Sequence, residues 1–334
     1  MPIFQTRADT PLLVADIGGT NARFAIAKRA QENSAVTLSH FKGFSCSDFH
    51  HFNAVLNAYI SNIKNIDRPK HACLAVAGPI NGNSAHLTNL GWHLNTDELK
   101  AKFGLSDLYL VNDFAALARS TPTLDNCDLL SLRESNTKVN GPVSVMGPGT
   151  GFGLALLVPH PQGYSIVSSE GGHISFVPHG TLETKVWSAL QENMGRVTVE
   201  TLLSGVGLMR IYRELCHIHG ISPLNYDPRT ISNQALDRSD DICFETLSVF
   251  CSMLGSVAGD IALSHGSTGG VFLGGGILPK ISAFILKSDF IERFLDKPPM
   301  QNFISNVPVS LITAPDAALK GAALLYSDHD QHRK

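Results

Sequence analysis

Apolar residues along this chain fall by turns into the two-residue period of strands and the longer period of helices. Between Val14 and Ala27, VADIGGTNARFAIA, apolar half-strands around Val14 and around Phe24, Ala25 and Ile26 flank a tight polar turn that carries one carboxylate, Asp16. A third strand is predicted at Val36 to Phe41. Phe49, Phe52, Leu56, Tyr59 and Ile63 then fall at helical spacing, with Ser45 or Ser47 as N-cap. HACLAVAGPI reads as a buried strand ending at Gly78 and Pro79, and SAHLTNLGWHLN as a short strand or loop. Thr96 is placed to cap a helix through Lys102, and the buried strand Leu108 to Val111 runs straight into a helix starting at Asn112 and Asp113.

The second half repeats the theme. Val145 to Leu157, VMGPGTGFGLALL, set under Val14 to Ile26 at a constant offset, puts Gly149 under Gly18 and Gly147 under Asp16. Helices are predicted at Glu183 to Asn193, Val199 to His219 and Asp240 to His265, with a polar loop from Pro223 to Arg238. A buried strand, GGVFL, stops at Gly274, Gly275 and Gly276, and a last helix, Ala314 to Tyr326, is expected to return to the first lobe. Strands alternating with helices imply α/β layers, not a sandwich or a bundle. The weak duplication implies two related lobes with a cleft between them.

Composition narrows the class of protein. At 334 residues there is chain for two domains, and 43% hydrophobic with 16% charged residues is globular composition. A net charge of −3 without a basic stripe disfavours nucleic acid and membrane surfaces as partners. Six scattered cysteines without a CxxC pair disfavour a zinc site and a disulfide framework. The opening MPIFQTRADTPLL shows neither a signal peptide nor a membrane span, so a cytoplasmic setting is expected.

The chemistry concentrates in four places. Gly18 and Gly19 can take backbone angles a side chain would forbid, which would let the N–H groups and side chains of Thr20 and Asn21 close around an anion. A carboxylate beside bound phosphate makes physical sense with Mg²⁺ between them, which assigns Asp16 to the metal. The second turn, Gly147, Gly149, Thr150 and Gly151, lacks the carboxylate, so the two turns would hold one nucleotide's phosphates asymmetrically. Neither GxxxxGK[ST] nor a helix-opening GxGxxG is present, which sets a P-loop and a nicotinamide site aside. Asn112-Asp113 stands at a strand-to-helix corner, where an aspartate can take the proton of an acceptor hydroxyl in phosphoryl transfer and where either residue would also serve as a helix cap. Glu170-Gly171-Gly172-His173 with Glu200 offers carboxylates and an imidazole to a vicinal diol, the glycines letting backbone come close. Bare backbone at Gly274 to Gly276 offers a platform for a flat base.

ADIGGTNARF, AVAGPI, LTNLGW, LVNDFAALA, GPGTGFGLA, SSEGGHISFVP, TVETLLSGVGL and VFLGGGI, in this order over nearly the whole chain, resemble bacterial glucokinases of the non-ROK type. The resemblance implies the two-lobed, actin-like (ribonuclease H-like) ATPase fold, with mixed sheets flanked by helices closing on the sugar and Mg·ATP. It implies a small domain of 1–122 plus 316–334, a large domain of 123–315, and a homodimer. Carried over by motif, Asp113 is the base for the glucose 6-hydroxyl, giving glucose 6-phosphate and ADP at the entrance to glycolysis. Asn112 binds the sugar beside it, Glu170, His173 and Glu200 hold other hydroxyls, and Asn89 in LTNLGW lines the pocket. Asp16 goes to Mg²⁺, the two turns to ATP phosphates and Gly274 to Gly276 to the adenosine. Pro148 departs from the smaller residue that pattern carries. ROK sugar kinases resemble the first turn but bring a cysteine-rich zinc motif that this sequence lacks. A kinase for another hexose (fructose, mannose or an amino sugar) and a non-catalytic sugar sensor on the same fold are the remaining alternatives.

Overall fold

The computed structural model describes residues 10–29, 36–63, 68–135 and 139–332. Residues 1–9, on which the leader reading falls, lie outside them. The chain forms two compact units, Met1–Asp125 with Ala314–Lys334, and Asn126–Thr313.

The first unit contains β1 (Leu12–Ile17), β2 (Asn21–Arg29), β3 (Val36–Ser45), α1 (Phe52–Ile60), β4 (His71–Val76), β5 (Ile80–Asn81), β6 (Ser84–Leu87), β7 (Trp92–Asn95), α2 (Thr96–Phe103), β8 (Asp107–Asn112) and α3 (Asp113–Ser120). Its main sheet has the order β3-β2-β1-β4-β8, antiparallel on the β3-β2-β1 side and parallel from β1 to β8. The two-residue period of β1 divides its side chains between two cores. Leu13, Ala15 and Ile17 pack with Phe24, Phe52, Leu56 and Tyr59, whereas Leu12 and Val14 pack with Ala116 of α3 and Leu319 and Ala322 of α12 (Ala317–His332). The last helix thus closes one face of the first sheet. Arg119 fixes it further through a bidentate bond to Asp328, at 2.6 and 3.2 Å. A Cβ at Gly321 would overlap the Ala116 carbonyl, so only glycine lets α12 approach α3 this closely. Gly321→Ala is expected to cost about 1–3 kcal/mol, the range for overpacking, read as a lower urea midpoint.

The second unit contains β9 (Leu129–Arg133), β10 (Val143–Pro148), β11 (Phe152–His160), β12 (Gly163–Ser169), α4 (Gly180–Met194), α5 (Val199–Leu202), α6 (Gly205–Ile218), α7 (Pro228–Leu236), α8 (Asp241–His265), β13 (Gly270–Leu273), α9 (Ser282–Ile285), α10 (Phe290–Leu295), α11 (Gln301–Ile304) and β14 (Val309–Ile312). Its sheet has the order β12-β11-β10-β13-β14-β9. α8 is long and apolar enough to cross a membrane, yet 78% of its apolar window is buried inside the protein. Its Leu247, Phe250, Leu254 and Ala258 belong to the core beneath β10 and β13.

Several predicted boundaries move, each for a local reason. The Ser45 and Ser47 hydroxyls bond each other at 2.8 Å, leaving α1 to start after His51, so Phe49 falls outside it. Asn95, not Thr96, caps α2, its Oδ1 accepting from the Asp97 and Glu98 N–H groups. The segment predicted helical from Val199 to His219 breaks at Ser204, which caps α6 through the Gly207 N–H. The predicted polar loop 223–238 contains α7, because Asp227-Pro228 is a cap followed by a first-turn proline.

Candidate active site

In the first unit the parallel strands β1, β4 and β8 end in register, Ile17 opposite Val76 and Val76 opposite Asn112. The first glycine turn, Gly78 and Asn112-Asp113 therefore emerge at one edge, the carboxyl end where open α/β sheets place their ligands. The axes of β1 and β8 stand two strand spacings apart, about 10 Å.

The first turn is closed by the Gly18 N–H, which donates to the Asn21 carbonyl at 2.9 Å, and leaves Thr20 and Asn21 exposed. Asp16 shares the face of Leu12 and Val14, and Arg23, directly opposite on β2, brings its Nη1 to 3.4 Å from the carboxylate. Burial pushes the Asp16 pKa up, while the charge and hydrogen bond of Arg23 pull it down. Asp16 keeps 19% of its side chain exposed, enough to reach a ligand at the sheet edge. Arg23 escaped the sequence reading, although counting the hairpin outward from a four-residue turn would have placed it opposite Asp16.

Asn112 and Asp113 serve the helix as well as the edge. The Asn112 Oδ1 accepts from the Ala115 N–H at 3.0 Å as the cap of α3, which leaves its Nδ2 amide and the oxygen's second lone pair for a ligand. The Asp113 Oδ1 accepts from the Phe114 N–H at 2.9 Å, which fixes the carboxylate's orientation. Asn89 lies apart, exposed in the turn between β6 and β7 of the small sheet.

The second unit brings separately predicted motifs together. Pro148 pairs with Phe152, and the Gly149 N–H donates to the Gly151 carbonyl at 2.7 Å. This turn is one residue shorter than the first, so the constant offset holds through β10 and fails beyond it. Gly147 opposite Gly153 takes the place of Asp16 opposite Arg23. Pro148 is accommodated at the strand's last position. Beside it, the Gly274 N–H donates to the Met146 carbonyl at 2.8 Å. A Cβ on Gly147 would overlap the Gly274 carbonyl, and one on Gly275 (φ +90°) the Pro148 carbonyl. The backbone of Gly274 and Gly275 thus lies against β10, and Gly276 faces open space.

Glu200 lies against the second turn, its Oε2 accepting from the Phe152 N–H at 2.7 Å, and a Cβ on Gly151 would overlap that carboxylate. The Gly205 N–H donates to the Gly149 carbonyl at 2.9 Å, a second tie between the same segments. Glu170 precedes and His173 ends a short 3₁₀ turn, Gly171–His173, their side chains 69% and 60% exposed and their nearest polar atoms 4.0 Å apart. Gly171 and Gly172 bring backbone close, as expected, but to Leu154 and Phe152 of β11. The Val199 N–H donates to the Ile174 carbonyl at 3.0 Å, which sets this turn beside the start of α5 and so near Glu200.

The family model for glucokinase matches residues 13–329. The chain belongs to the glucokinase family. The glucokinase of Saccharophagus degradans is 40% identical over 94% of this chain and 97% of its own length, and that of Nitrobacter hamburgensis 39% over 94% and 96%. Among solved structures, a glucokinase from an Antarctic psychrotroph superposes with a TM-score of 0.82 at 40% identity, covering 95% of this chain and 99% of that one. The glucokinase of Balamuthia mandrillaris, solved in complex with glucose, shares the fold at 19% identity, with a TM-score of 0.78 over 95% and 93% of the two chains. Mixed sheets flanked by helices, in the pattern of the actin-like ATPases, are therefore the fold of a glucokinase-family chain.

Proposed function

We propose that this protein transfers the γ-phosphoryl group of Mg·ATP to the 6-hydroxyl of D-glucose, giving glucose 6-phosphate and ADP. The observation that carries the reading is the in-register ending of β1, β4 and β8, which sets the first glycine turn, Asp16 and Asn112-Asp113 along one sheet edge in a glucokinase-family chain.

Asp113 takes the proton of the 6-hydroxyl as its oxygen attacks the γ-phosphorus, and ADP leaves with the electrons of the broken bond. The Phe114 N–H holds the carboxylate in the orientation that receives the proton. Asn112 donates its Nδ2 amide to the sugar, and Glu170, His173, Glu200 and Asn89 bind the other hydroxyls. Gly18, Gly19, Thr20 and Asn21 cradle phosphate oxygens, as do Gly147, Gly149, Thr150 and Gly151, and Gly274 to Gly276 lie near the adenosine. Among the described residues no three His, Cys, Asp or Glu side chains converge as a metal cage. A single carboxylate, Asp16, suits Mg²⁺, which keeps its waters and takes its other ligands from phosphates. When bound, the ion neutralises charge on the transferring phosphate.

The domain division we propose is 1–122 with 316–334 against 123–315, and the assembly a homodimer. Free cysteines, five of six buried, support a reducing, cytoplasmic setting.

The reading is tested by ADP release across a panel of glucose, fructose, mannose and amino sugars, with and without Mg²⁺. Glucose should give the highest kcat/KM. Preference for another hexose would reassign the acceptor, and no ADP release with any sugar would leave a sensor. Asp16→Ala should depress ATP-dependent turnover at least tenfold, on the order of one charge-assisted contact, while calorimetry finds glucose affinity unchanged. Loss of glucose affinity in that variant would remove Asp16 from the metal role.

A further inference from the structure

We propose that Cys46 is a positioning residue for nucleotide binding, holding the Gly18 and Thr20 carbonyls from behind the first glycine turn so that the Gly19 and Asn21 N–H groups face the phosphates. The proposal rests on the reading of that turn as a phosphate site.

Cys46 directly follows β3, whose last residue, Ser45, pairs with Asn21 at the start of β2. It is buried, 2% exposed, and both of its donors are spent on the turn. Its N–H donates to the Thr20 carbonyl at 2.9 Å, and its thiol to the Gly18 carbonyl at 3.7 Å. In a planar trans peptide the C=O and the following N–H point opposite ways. Drawing the Gly18 carbonyl inward turns the Gly19 N–H outward, and drawing the Thr20 carbonyl inward does the same for the Asn21 N–H. The Asn21 carbonyl is also occupied, by the Gly18 N–H at 2.9 Å. Three carbonyl oxygens of the turn thus have donors inside the protein, which keeps the negative ends of those peptides away from an arriving phosphate. A flexible glycine pair gains most from such a brace, because unbraced Gly18 and Gly19 explore both signs of φ. Burial raises the Cys46 thiol to about 11, so it is a protonated donor at neutral pH.

The second glycine turn has a different brace. Its Gly149 carbonyl accepts from the Gly205 N–H, a backbone donor that no side-chain substitution removes. The first turn alone depends on a side chain for the equivalent bond, and Gly18 corresponds to Gly149 in the strand register.

The test compares wild type, Cys46→Ala and Cys46→Ser. Titration with Mg·AMPPNP, followed by amide NMR, should shift Gly19 and Asn21 in the wild type. Calorimetry should show Cys46→Ala weakening Mg·AMPPNP about three- to tenfold, the scale of one neutral hydrogen bond, with glucose affinity unchanged. In turnover the KM for ATP should rise by the same factor, with kcat at saturating ATP within about twofold of wild type. Cys46→Ser restores a hydroxyl donor and should recover most of the affinity. Wild-type affinity in Cys46→Ala, equal weakening in both variants, or a parallel loss of glucose affinity would each overturn the positioning role. If Gly19 and Asn21 fail to shift in the wild type, the phosphate reading of the turn falls, and the role of Cys46 with it.

Discussion

Asp113→Asn is expected to lower kcat by at least about a hundredfold, within the range general-base catalysis contributes, while glucose affinity stays within a few-fold of wild type. The substitution keeps the shape of the side chain, and the Asn oxygen can still accept the Phe114 N–H bond that orients it. It removes the capacity to take a proton at neutral pH. The cap of α3 belongs to Asn112, so the helix should be undisturbed and the thermal midpoint nearly unchanged. This separation makes the variant informative: a corner that serves both fold and chemistry loses only the chemistry. Asp113→Ala is a weaker test, because it leaves the Phe114 N–H without its acceptor. A near-normal kcat in Asp113→Asn would remove Asp113 from the base role, and a collapse of glucose binding would make it a sugar ligand first.

What the sequence made legible follows the physics that is local in it. The alternation in β1 and β2 and the run from Leu108 into Asn112 are written in nearest-neighbour patterns, and the structure has a strand, a turn and a helix start in those places. The equivalence of Gly147 to Asp16 was also readable, because strand register up to the turn depends only on counting. The shorter second turn was not, since a loop can lose one residue without altering the apolar pattern on either side. The close approach of these strands was not legible either: Gly147 has to be glycine because the Gly274 carbonyl lies against it, and Gly275 because the Pro148 carbonyl does, partners far away in sequence. For Gly171 and Gly172 the sequence shows that backbone can come close, and the structure adds that Leu154 and Phe152 of β11 lie against them. α7 was missed because its interior is polar, although the Asp227-Pro228 start signal was present.

Glu200→Ala should raise the KM for glucose by about ten- to a hundredfold, the scale of a hydrogen bond to a charged group, and should raise the KM for ATP as well. The resemblance to glucokinases assigns Glu200 to the sugar, which predicts that its loss touches glucose far more than ATP. The structure adds a second duty, because Oε2 accepts the Phe152 N–H immediately after the second glycine turn. One carboxylate has two oxygens and several lone pairs, so a backbone bond on one leaves capacity for a sugar hydroxyl. Removing the side chain takes away both partners at once and leaves the Phe152 N–H without its acceptor. Glu200→Gln separates the two duties. Its amide oxygen can still accept from Phe152, so the KM for ATP should remain near wild type while glucose binding suffers the loss of charge. Gly151→Ala approaches from the other side, since its Cβ would overlap the Glu200 carboxylate and displace it from the turn. That variant should raise both constants, although residue 200 itself is unchanged. If Glu200→Ala and Glu200→Gln raise only the glucose constant and to the same extent, the bond to Phe152 contributes nothing to nucleotide binding. Should neither variant change the glucose constant, Glu200 is a brace for the turn and not a sugar ligand.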